Sequence, residues 1–323
     1  MPGPPSDVIR TVQNGQRFLV ASHYNPDGDA IGATAAMAWL LTALGKQVTL
    51  YNRTGLSKTL DWVSLPGPLS TDVPQGLYDA VVILDCGDLD RVGPELPPAL
   101  GPTPIVNIDH HLGNPLFGAV NWVDPAYSSA GEMVADIARE LGVPLTGGLA
   151  QAVYLSLVTD TGYFSYSNTG PRSLETAAEL LRLGLDTAAL NANIQNQWSL
   201  ARIHLWSESL GRAKLYCNGQ LGLIRIMTDD LVRTGTSVED CEGLINFVVR
   251  VRGVCVAVSL REQSGLVKFS LRSNGTWNVQ AIAAEFGGGG HRNAAGGHIP
   301  GDVEHAETVL VAACARHLEQ GTA

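Results

Sequence analysis

Apolar and polar positions alternate along the first half of the chain in blocks that predict strands and helices in turn. Short β-branched apolar runs, each ending in polar residues, occupy 17–23, 46–52, 80–88 and 103–111. Patterns with helical spacing occupy 29–45, 129–141 and 147–159. Strands that are apolar on both faces and alternate with helices predict an α/β fold, a parallel sheet with helices on both faces.

The pattern changes beyond residue 169. A helical stretch at 173–185 closes the first part, and 187–212 is helical without strands, which predicts a connector. The remainder is mixed: a strand at 221–227, a helix near 239–250, a hairpin around Ser264-Gly265 and a helix at 278–286. We therefore predict a first domain at 1–186, a helical connector at 187–212 and a smaller mixed α/β domain at 213–323.

Composition fits a folded protein of two domains. The chain has 323 residues, of which 45% are hydrophobic and 16% charged. Its apolar runs are shorter than the ~18 residues of a membrane helix, and its first residues lack the layout of a signal peptide, so no membrane association is expected. The five cysteines form no CxxC pair. They predict reduced thiols in a cytoplasmic protein and argue against a disulfide scaffold or a zinc finger.

The net charge of −10 argues against binding to long duplexes, which requires many phosphate contacts from Lys and Arg. The acidic excess lies within residues 1–200, whereas 246–292 is locally basic. This separation suggests a metal site in the first part and a small anionic ligand in the second.

Acidic and imidazole side chains collect where the predicted strands and helices end. They are His23, Asp27, Asp29, Asp85, Asp109, His110, His111 and Asp160. Ligands of parallel sheets bind at the carboxyl ends of the strands. Oxygen ligands with an occasional imidazole suit Mn²⁺ or Mg²⁺ better than zinc. Structural roles remain open for single residues, such as a helix cap for Asp27 or a loop position for Asp160.

Four carboxylates and two imidazoles are candidate metal ligands: His23, Asp27, Asp29, Asp85, His110 and Asp160. A single divalent ion rarely needs four carboxylates because they repel one another. Two ions that share one carboxylate balance this charge and are typical of phosphoester-cleaving sites. Since neighbouring strand residues face opposite ways, we expect His110 to reach a metal, with Asp109 and His111 in supporting roles.

The second half offers candidates for anion binding. Glycines 287–290 permit a close approach of the backbone to a phosphate, and His291 follows them. Gly288, Gly289, Gly290 and His291 are therefore predicted to form an anion-binding loop, with a flexible hinge as the alternative. Arg272, at the end of a predicted strand, is the candidate for a fork-like contact to a terminal phosphate.

In this order, HYNPDGD, LDCGD, the Asp-His-His sequence and VTDTGYF resemble the four motifs of the DHH phosphoesterase superfamily. Residues 267–297, with their GGGGH, resemble the accessory domain called DHHA1. The likeness covers nearly the whole chain. It is greatest to the nanoRNase/pAp phosphatase (NrnA-like) branch, which has these two domains and no others.

This resemblance implies a role for each matching residue. His23 and Asp27 would hold one metal, and Asp29, His110 and Asp160 the other, with Asp85 bridging the two. Asp109 would orient a metal-bound water or a neighbouring histidine, and His111 would lie near the scissile phosphate as a hydrogen-bond donor or general acid. The implied cofactor is two Mn²⁺ ions, with Mg²⁺ or Co²⁺ as substitutes.

The implied activity is hydrolysis of short oligoribonucleotides (nanoRNA and dinucleotides) to mononucleotides, together with dephosphorylation of pAp. Partners would be short RNA or DNA oligonucleotides and pAp, and the sequence leaves a homodimer open. The alternatives are a cyclic-di-AMP or pApA phosphodiesterase and a broader single-strand 5′→3′ exonuclease. A nucleotide sensor without turnover is disfavoured by the intact ligand set.

Overall fold

The computed structural model describes residues 3–320. The chain forms two compact units that divide between Gln197 and Trp198. This division falls within the segment 187–212, which was predicted as a connector. Two helices rather than one occupy that segment, because the helical pattern stops near Asn196 and a new helix starts with Ser199 as its N-cap.

A six-stranded parallel sheet forms the centre of the first unit, as the apolar runs predict. Its strands are β1 (Arg17–Ser22), β2 (Gln47–Tyr51), β3 (Leu69–Ser70), β4 (Ala80–Leu84), β5 (Ile105–Asp109) and β6 (Val120–Val123). Their order is β3-β2-β1-β4-β5-β6. All five residues of β4 are buried, as expected for a strand covered on both faces. Two strands, β3 and β6, lack a clear apolar run and were not predicted.

Helices cover both faces of this sheet. They are α1 (Ser6–Asn14), α2 (Gly28–Ala43), α3 (Leu96–Leu100), α4 (Ala130–Glu140), α5 (Gly147–Asp160), α6 (Pro171–Arg182) and α7 (Thr187–Gln195). The larger apolar core includes α2, α4 and α5. A smaller core on other sheet residues includes α3 and the 3₁₀ turn Leu89–Val92. The predicted two-sided α/β architecture is confirmed.

Helices α2 and α5 pack closely because small residues face each other. A Cβ on Gly32 would lie 2.7 Å from the backbone nitrogen of Ser156 and 2.8 Å from the carbonyl oxygen of Ala152. Only glycine fits at this distance. The close contact matters for the site, because α2 begins beside Asp29 and α5 ends at Asp160.

The second unit is a mixed sheet with helices. Its strands are β7 (Lys214–Tyr216), β8 (Leu221–Ile226), β9 (Val256–Gln263), β10 (Leu266–Ser273), β11 (Gly289–His291) and β12 (Ala294–Pro300). Its helices are α8 (Leu200–Gly211), α9 (Thr228–Thr234), α10 (Ile245–Val249), α11 (Val279–Ala284) and α12 (Val303–Gln320). The order is β11-β12-β10-β9-β8-β7, in which β8 pairs with β9 in parallel and the other neighbouring strands pair antiparallel.

The hairpin predicted around Ser264-Gly265 joins β9 to β10, and Gly265 takes the positive φ of 72° that its turn requires. The helix predicted near 239–250 is wrong in extent. A 3₁₀ turn at Glu239–Cys241 and the short helix α10 replace it, separated by Gly243 with φ 85°. Among the described residues, no helix combines the length and apolarity needed to cross a bilayer.

Candidate metal centre

The sheet order reverses between β1 and β4, and the predicted ligands lie at that point. His23 follows β1, Asp85 follows β4, and His110 follows β5. Ligand sites of open α/β sheets occupy the crevice at the carboxyl ends of strands beside such a reversal. Asp29 on α2 and Asp160 at the end of α5 reach the same place. The fold thus brings together side chains that are far apart in sequence.

One group of potential ligands consists of His23, Asp27 and Asp85, whose donor atoms lie within 4.8 Å of one another. Nε2 of His23 is 4.0 Å from Oδ1 of Asp27 and 3.6 Å from Oδ2 of Asp85. Asp27 is also the N-cap of α2, since its Oδ1 accepts a hydrogen bond of 3.0 Å from the amide of Ala30. The capping role that the sequence left open and the proximity to His23 therefore occur together.

The second group consists of Asp29, His110 and Asp160, again with donor atoms within 4.8 Å of one another. Nε2 of His110 is 3.3 Å from Oδ2 of Asp29 and 3.8 Å from Oδ2 of Asp160. Nδ1 of His110 lies 3.3 Å from the carbonyl oxygen of Tyr127, which suits a hydrogen bond that directs Nε2 into the centre.

Asp85 lies between the two groups. Its Oδ2 faces His23 at 3.6 Å, and its Oδ1 faces His110 at 3.5 Å. Its backbone φ of 50° lies in the left-handed region, which is rare outside glycine and recurs at functional sites. Oδ1 is buried without a hydrogen bond in the described part of the chain. One oxygen toward each group is the arrangement that a bridging carboxylate needs.

The electrostatics of the cluster favour cations. Burial and the nearby charge of Asp29 raise the pKa of Asp160 to about 7. Burial opposes a charge on His110, yet its close contacts with Asp29 and Asp85 raise its pKa to about 12. Carboxylates packed this closely require compensating positive charge. The donor set, mostly carboxylate oxygens with two imidazoles, fits hard divalent cations such as Mn²⁺ or Mg²⁺.

His111 lies beside the cluster and is held by Asp109. The chain leaves the strand after Asp109, so both histidines approach Asp85, and Nδ1 of His111 is 3.4 Å from its Oδ1. Asp85, His110 and His111 form a further group of potential ligands. However, Nδ1 of His111 also forms a 2.8 Å contact with Oδ1 of Asp109, which raises the pKa of His111. Asp109 is fully buried, and its Oδ2 accepts a 2.7 Å hydrogen bond from Asn114.

Three supporting residues are not predicted by the sequence: Asn114, Ser156 and Asn168. Asn168 donates from Nδ2 to Oδ2 of Asp160 and to the carbonyl oxygen of Ser128, both at 3.1 Å. Ser156 donates to Asp29 at 2.5 Å. For Ser156, the available signal is a polar residue inside the apolar helix that ends at Asp160. This signal is weak, because a serine inside a helix often forms a hydrogen bond only to a backbone carbonyl of the same helix.

Cys86 follows Asp85 and is fully buried. Its Sγ donates to the carbonyl oxygen of Asp88 at 3.0 Å. Burial raises the pKa of this thiol to about 12, so it is not a nucleophile at neutral pH.

In the second unit, the register places Arg272 and His291 in one row across the sheet. Arg272 on β10 pairs with Ala294 on β12, and Ala294 pairs with His291 on β11. The side chain of His291 lies outside what the structure describes. Nη1 of Arg272 donates to the carbonyl oxygen of Leu271 at 3.0 Å.

The prediction of a glycine loop is wrong in part, because Gly289–His291 form strand β11. A Cβ on Gly288 would lie 2.3 Å from the carbonyl oxygen of Gly296, and one on Gly290 would lie 2.5 Å from that of Ala294. Close pairing with β12 therefore explains these two glycines without a ligand. Gly289 has no atom within 4 Å of its Cβ position, so it retains open space for a ligand.

The family models match both units. The N-terminal domain model of the DHH family matches residues 17–157, and the DHHA1 domain model matches residues 224–316.

Two curated relatives carry the name bifunctional oligoribonuclease and PAP phosphatase NrnA. The protein from Thermus thermophilus is 34% identical, over 95% of this chain and 91% of its own. That from Bacillus subtilis is 24% identical, over 91% of this chain and 93% of its own. Among solved structures, an exopolyphosphatase-related protein from Bacteroides fragilis superposes with a TM-score of 0.87 at 27% identity, covering 97% of this chain and 95% of its own. By its domains and its relatives, this chain belongs to the DHH family, with a DHHA1 domain as its second unit.

Proposed function

We propose that this protein is a metal-dependent phosphoesterase that hydrolyses short oligoribonucleotides to mononucleotides and removes a phosphate from pAp. The observation that carries the proposal is Asp85, which directs one oxygen to each of two ligand groups at the reversal of the sheet. Relatives that match nearly the whole chain and bear the oligoribonuclease and PAP phosphatase name support the same activity.

Two Mn²⁺ ions are the proposed cofactor, with Mg²⁺ or Co²⁺ as substitutes. His23 and Asp27 would hold one ion, and Asp29, His110 and Asp160 the other, with Asp85 shared. Bound there, the cations would supply the positive charge that polarises a phosphate and stabilises charge developing on its oxygens. The chain contributes the preorganisation, because the buried Asp29 is held by hydrogen bonds from α4 and α5.

His111 and Asp109 are proposed to handle the proton at the leaving oxygen. Asp109 holds Nδ1 of His111, so donation to a phosphate or to the leaving oxygen would come from Nε2. The contact with Asp109 raises the pKa of His111, which favours the protonated form that a general acid requires. Asp109 contributes through the orientation and charge of His111.

The second unit is proposed to bind the phosphate end of the substrate. Arg272 and His291 occupy one row of the sheet, and the space at the Cβ position of Gly289 on β11 is open. A guanidinium beside a closely approachable glycine backbone suits a terminal phosphate. Residues 1–186 would then be the catalytic domain and residues 213–323 the substrate-binding domain. Short oligonucleotides and pAp would both offer a terminal phosphate to the second unit.

The cytoplasm is the proposed location, and the five cysteines, which are free thiols, suit a reducing compartment. Long duplexes are not expected as substrates because the net charge is −10.

The test is a side-by-side assay of the purified protein with Mn²⁺ on a 5′-labelled dinucleotide, a 24-mer, pAp and cyclic-di-AMP. Fast turnover of the dinucleotide and pAp, with slow turnover of the 24-mer, is the expected result. Equal or faster degradation of the 24-mer would refute the preference for short substrates. Absence of metal-dependent hydrolysis of all four would refute the phosphoesterase.

A further inference from the structure

Three helices meet at the hydroxyl of Ser156, a fully buried residue of α5. Its Oγ donates to Oδ1 of Asp29 on α2 at 2.5 Å and accepts from the amide of Gly131 on α4 at 2.9 Å. The hydroxyl of Ser129, which is the N-cap of α4, lies 2.9 Å from the same Oγ. Ser156 thus joins two other helices through one oxygen atom.

The packing around Ser156 fixes its position. A Cβ on Gly131 would lie 2.2 Å from its Oγ, and a Cβ on Gly32 would lie 2.7 Å from its own Cβ. Two glycines from two helices therefore enclose the side chain so closely that a methyl group on either would displace it. A serine held in this way can set the position of the carboxylate to which it donates.

Asp29 receives donors on both oxygens. Its Oδ2 accepts from the amide of Ala130 at 2.9 Å, and its Oδ1 accepts from Gly131 at 3.3 Å in addition to Ser156. Helix α4 has 11 residues, so its first amides offer Asp29 the positive end of a full helix dipole. Oδ1 is occupied by two donors, whereas Oδ2 has one and faces His110 at 3.3 Å.

We infer that Ser156 is a positioning residue for the metal site of Asp29, His110 and Asp160. By holding Oδ1, it leaves Oδ2 as the atom of Asp29 that binds the cation, and it fixes the direction of that atom. This inference rests on the proposed function, since it requires a cation at that group. It assigns no role to Ser156 at the group of His23 and Asp27.

The test is Mn²⁺ binding to the metal-depleted full-length protein, measured by isothermal titration calorimetry. In Ser156→Ala, one of the two ions should bind about 10- to 100-fold more weakly, as is typical when a partner behind a metal ligand is lost. The other ion should retain its affinity. Hydrolysis by this variant should recover at high Mn²⁺, which a damaged fold would not do.

Thr34→Val is the matched control. Thr34 lies on α2 with Asp29, is buried, and its hydroxyl makes no hydrogen bond in the described structure. This variant removes a buried hydroxyl from the same helix and should bind both ions normally. Ser129→Ala provides a second variant if Ser156→Ala does not fold. It should weaken the binding of the same ion to a smaller degree.

The outcomes separate the two proposals. Wild-type protein that binds no Mn²⁺ would overturn the proposed function together with this inference. If the wild type binds two ions and Ser156→Ala, or its substitute Ser129→Ala, binds both with unchanged affinity, the role of Ser156 alone is overturned. If Ser156→Ala binds both ions more weakly to the same degree, or if Thr34→Val weakens Mn²⁺ binding in the same way, the effect is one of general packing. Either result would also overturn the role of Ser156.

Discussion

Replacing Asp109 by Asn should lower the stability of the first unit and change its activity, although the side chain keeps its shape. Asp109 is fully buried, and its neighbours donate to it: Nδ1 of His111 and the amide of His110 at Oδ1, both at 2.8 Å, and Asn114 at Oδ2, at 2.7 Å. An amide NH₂ would face a donor in either orientation. Rotating Asn114 does not solve this, because its Oδ1 already accepts from Asn107 and Leu116.

The expected cost follows from these contacts. A hydrogen bond to a charged group contributes about 1.5–3 kcal/mol, and a buried donor without an acceptor costs about 1–3 kcal/mol. Asp109→Asn should therefore lower the free energy of unfolding of the first unit by about 2.5–6 kcal/mol. For a unit of this size, each kcal/mol lowers Tm by about 2–4 °C. Thermal unfolding followed by circular dichroism measures this loss.

The activity should change in a direction set by His111. Asp109 raises the pKa of His111, so in the wild type the imidazolium persists to a higher pH than an unperturbed histidine allows. Activity that needs this proton is present at low pH and is lost as pH rises through that pKa. Without the charge of Asp109, the alkaline limb of kcat against pH for dinucleotide hydrolysis should move to lower pH.

A double-mutant cycle with His111→Gln provides the control. If Asp109 acts through His111, adding Asp109→Asn to His111→Gln should cause little further loss of kcat. Losses of kcat that multiply in the double variant, or an alkaline limb that does not move in Asp109→Asn, would show that Asp109 does not act through His111.

Four further changes test other parts of the structure. Asp85→Ala should abolish hydrolysis while circular dichroism stays native, and near-normal turnover would contradict a shared carboxylate. Arg272→Ala should mainly raise KM for dinucleotides, and an unchanged KM would remove Arg272 from the binding site. Gly131→Ala should lower the free energy of unfolding by about 1–3 kcal/mol, because the new Cβ meets Ser156; unchanged urea unfolding would show that the helices adjust freely. Burial opposes a charge on Glu307, yet hydrogen bonds from Arg225, Tyr216 and Lys214 hold its pKa at about 2. This stabilisation is present above the ordinary pKa of Glu and is lost as pH falls toward 2. The free energy of unfolding of the second unit should therefore depend less on pH in Glu307→Gln than in the wild type between about pH 5 and 2.

The strands of the parallel sheet could be predicted because each is a short apolar run that ends in polar residues. Asp85 and His110 can be predicted in this way, because a buried strand requires a run of apolar residues and polar residues follow where the strand ends. The edge strand β3 has only two residues and leaves no such pattern. Strand β11 consists largely of glycine, and its strand structure depends on pairing with β12, which is a tertiary contact.

The supporting residues were harder to find for a similar reason. Ser156 and Asp29 are 127 positions apart, and only the packing of α5 on α2 makes them neighbours. Gly32 and Gly131 have no local signature, because what they accommodate is another helix and not a turn of their own. Sequence spacing reports contacts within an element well and contacts between elements poorly.

The burial of Cys86 gives the centre a built-in chemical reporter. In the folded chain, its thiol is fully covered and its pKa is raised to about 12, so thiol reagents should modify it only after the end of β4 has opened. Its labelling rate therefore measures the frequency with which the backbone beside Asp85 is exposed to solvent. Cations that bind to Asp85 should slow this labelling in proportion to their occupancy, which allows occupancy to be followed without any substrate.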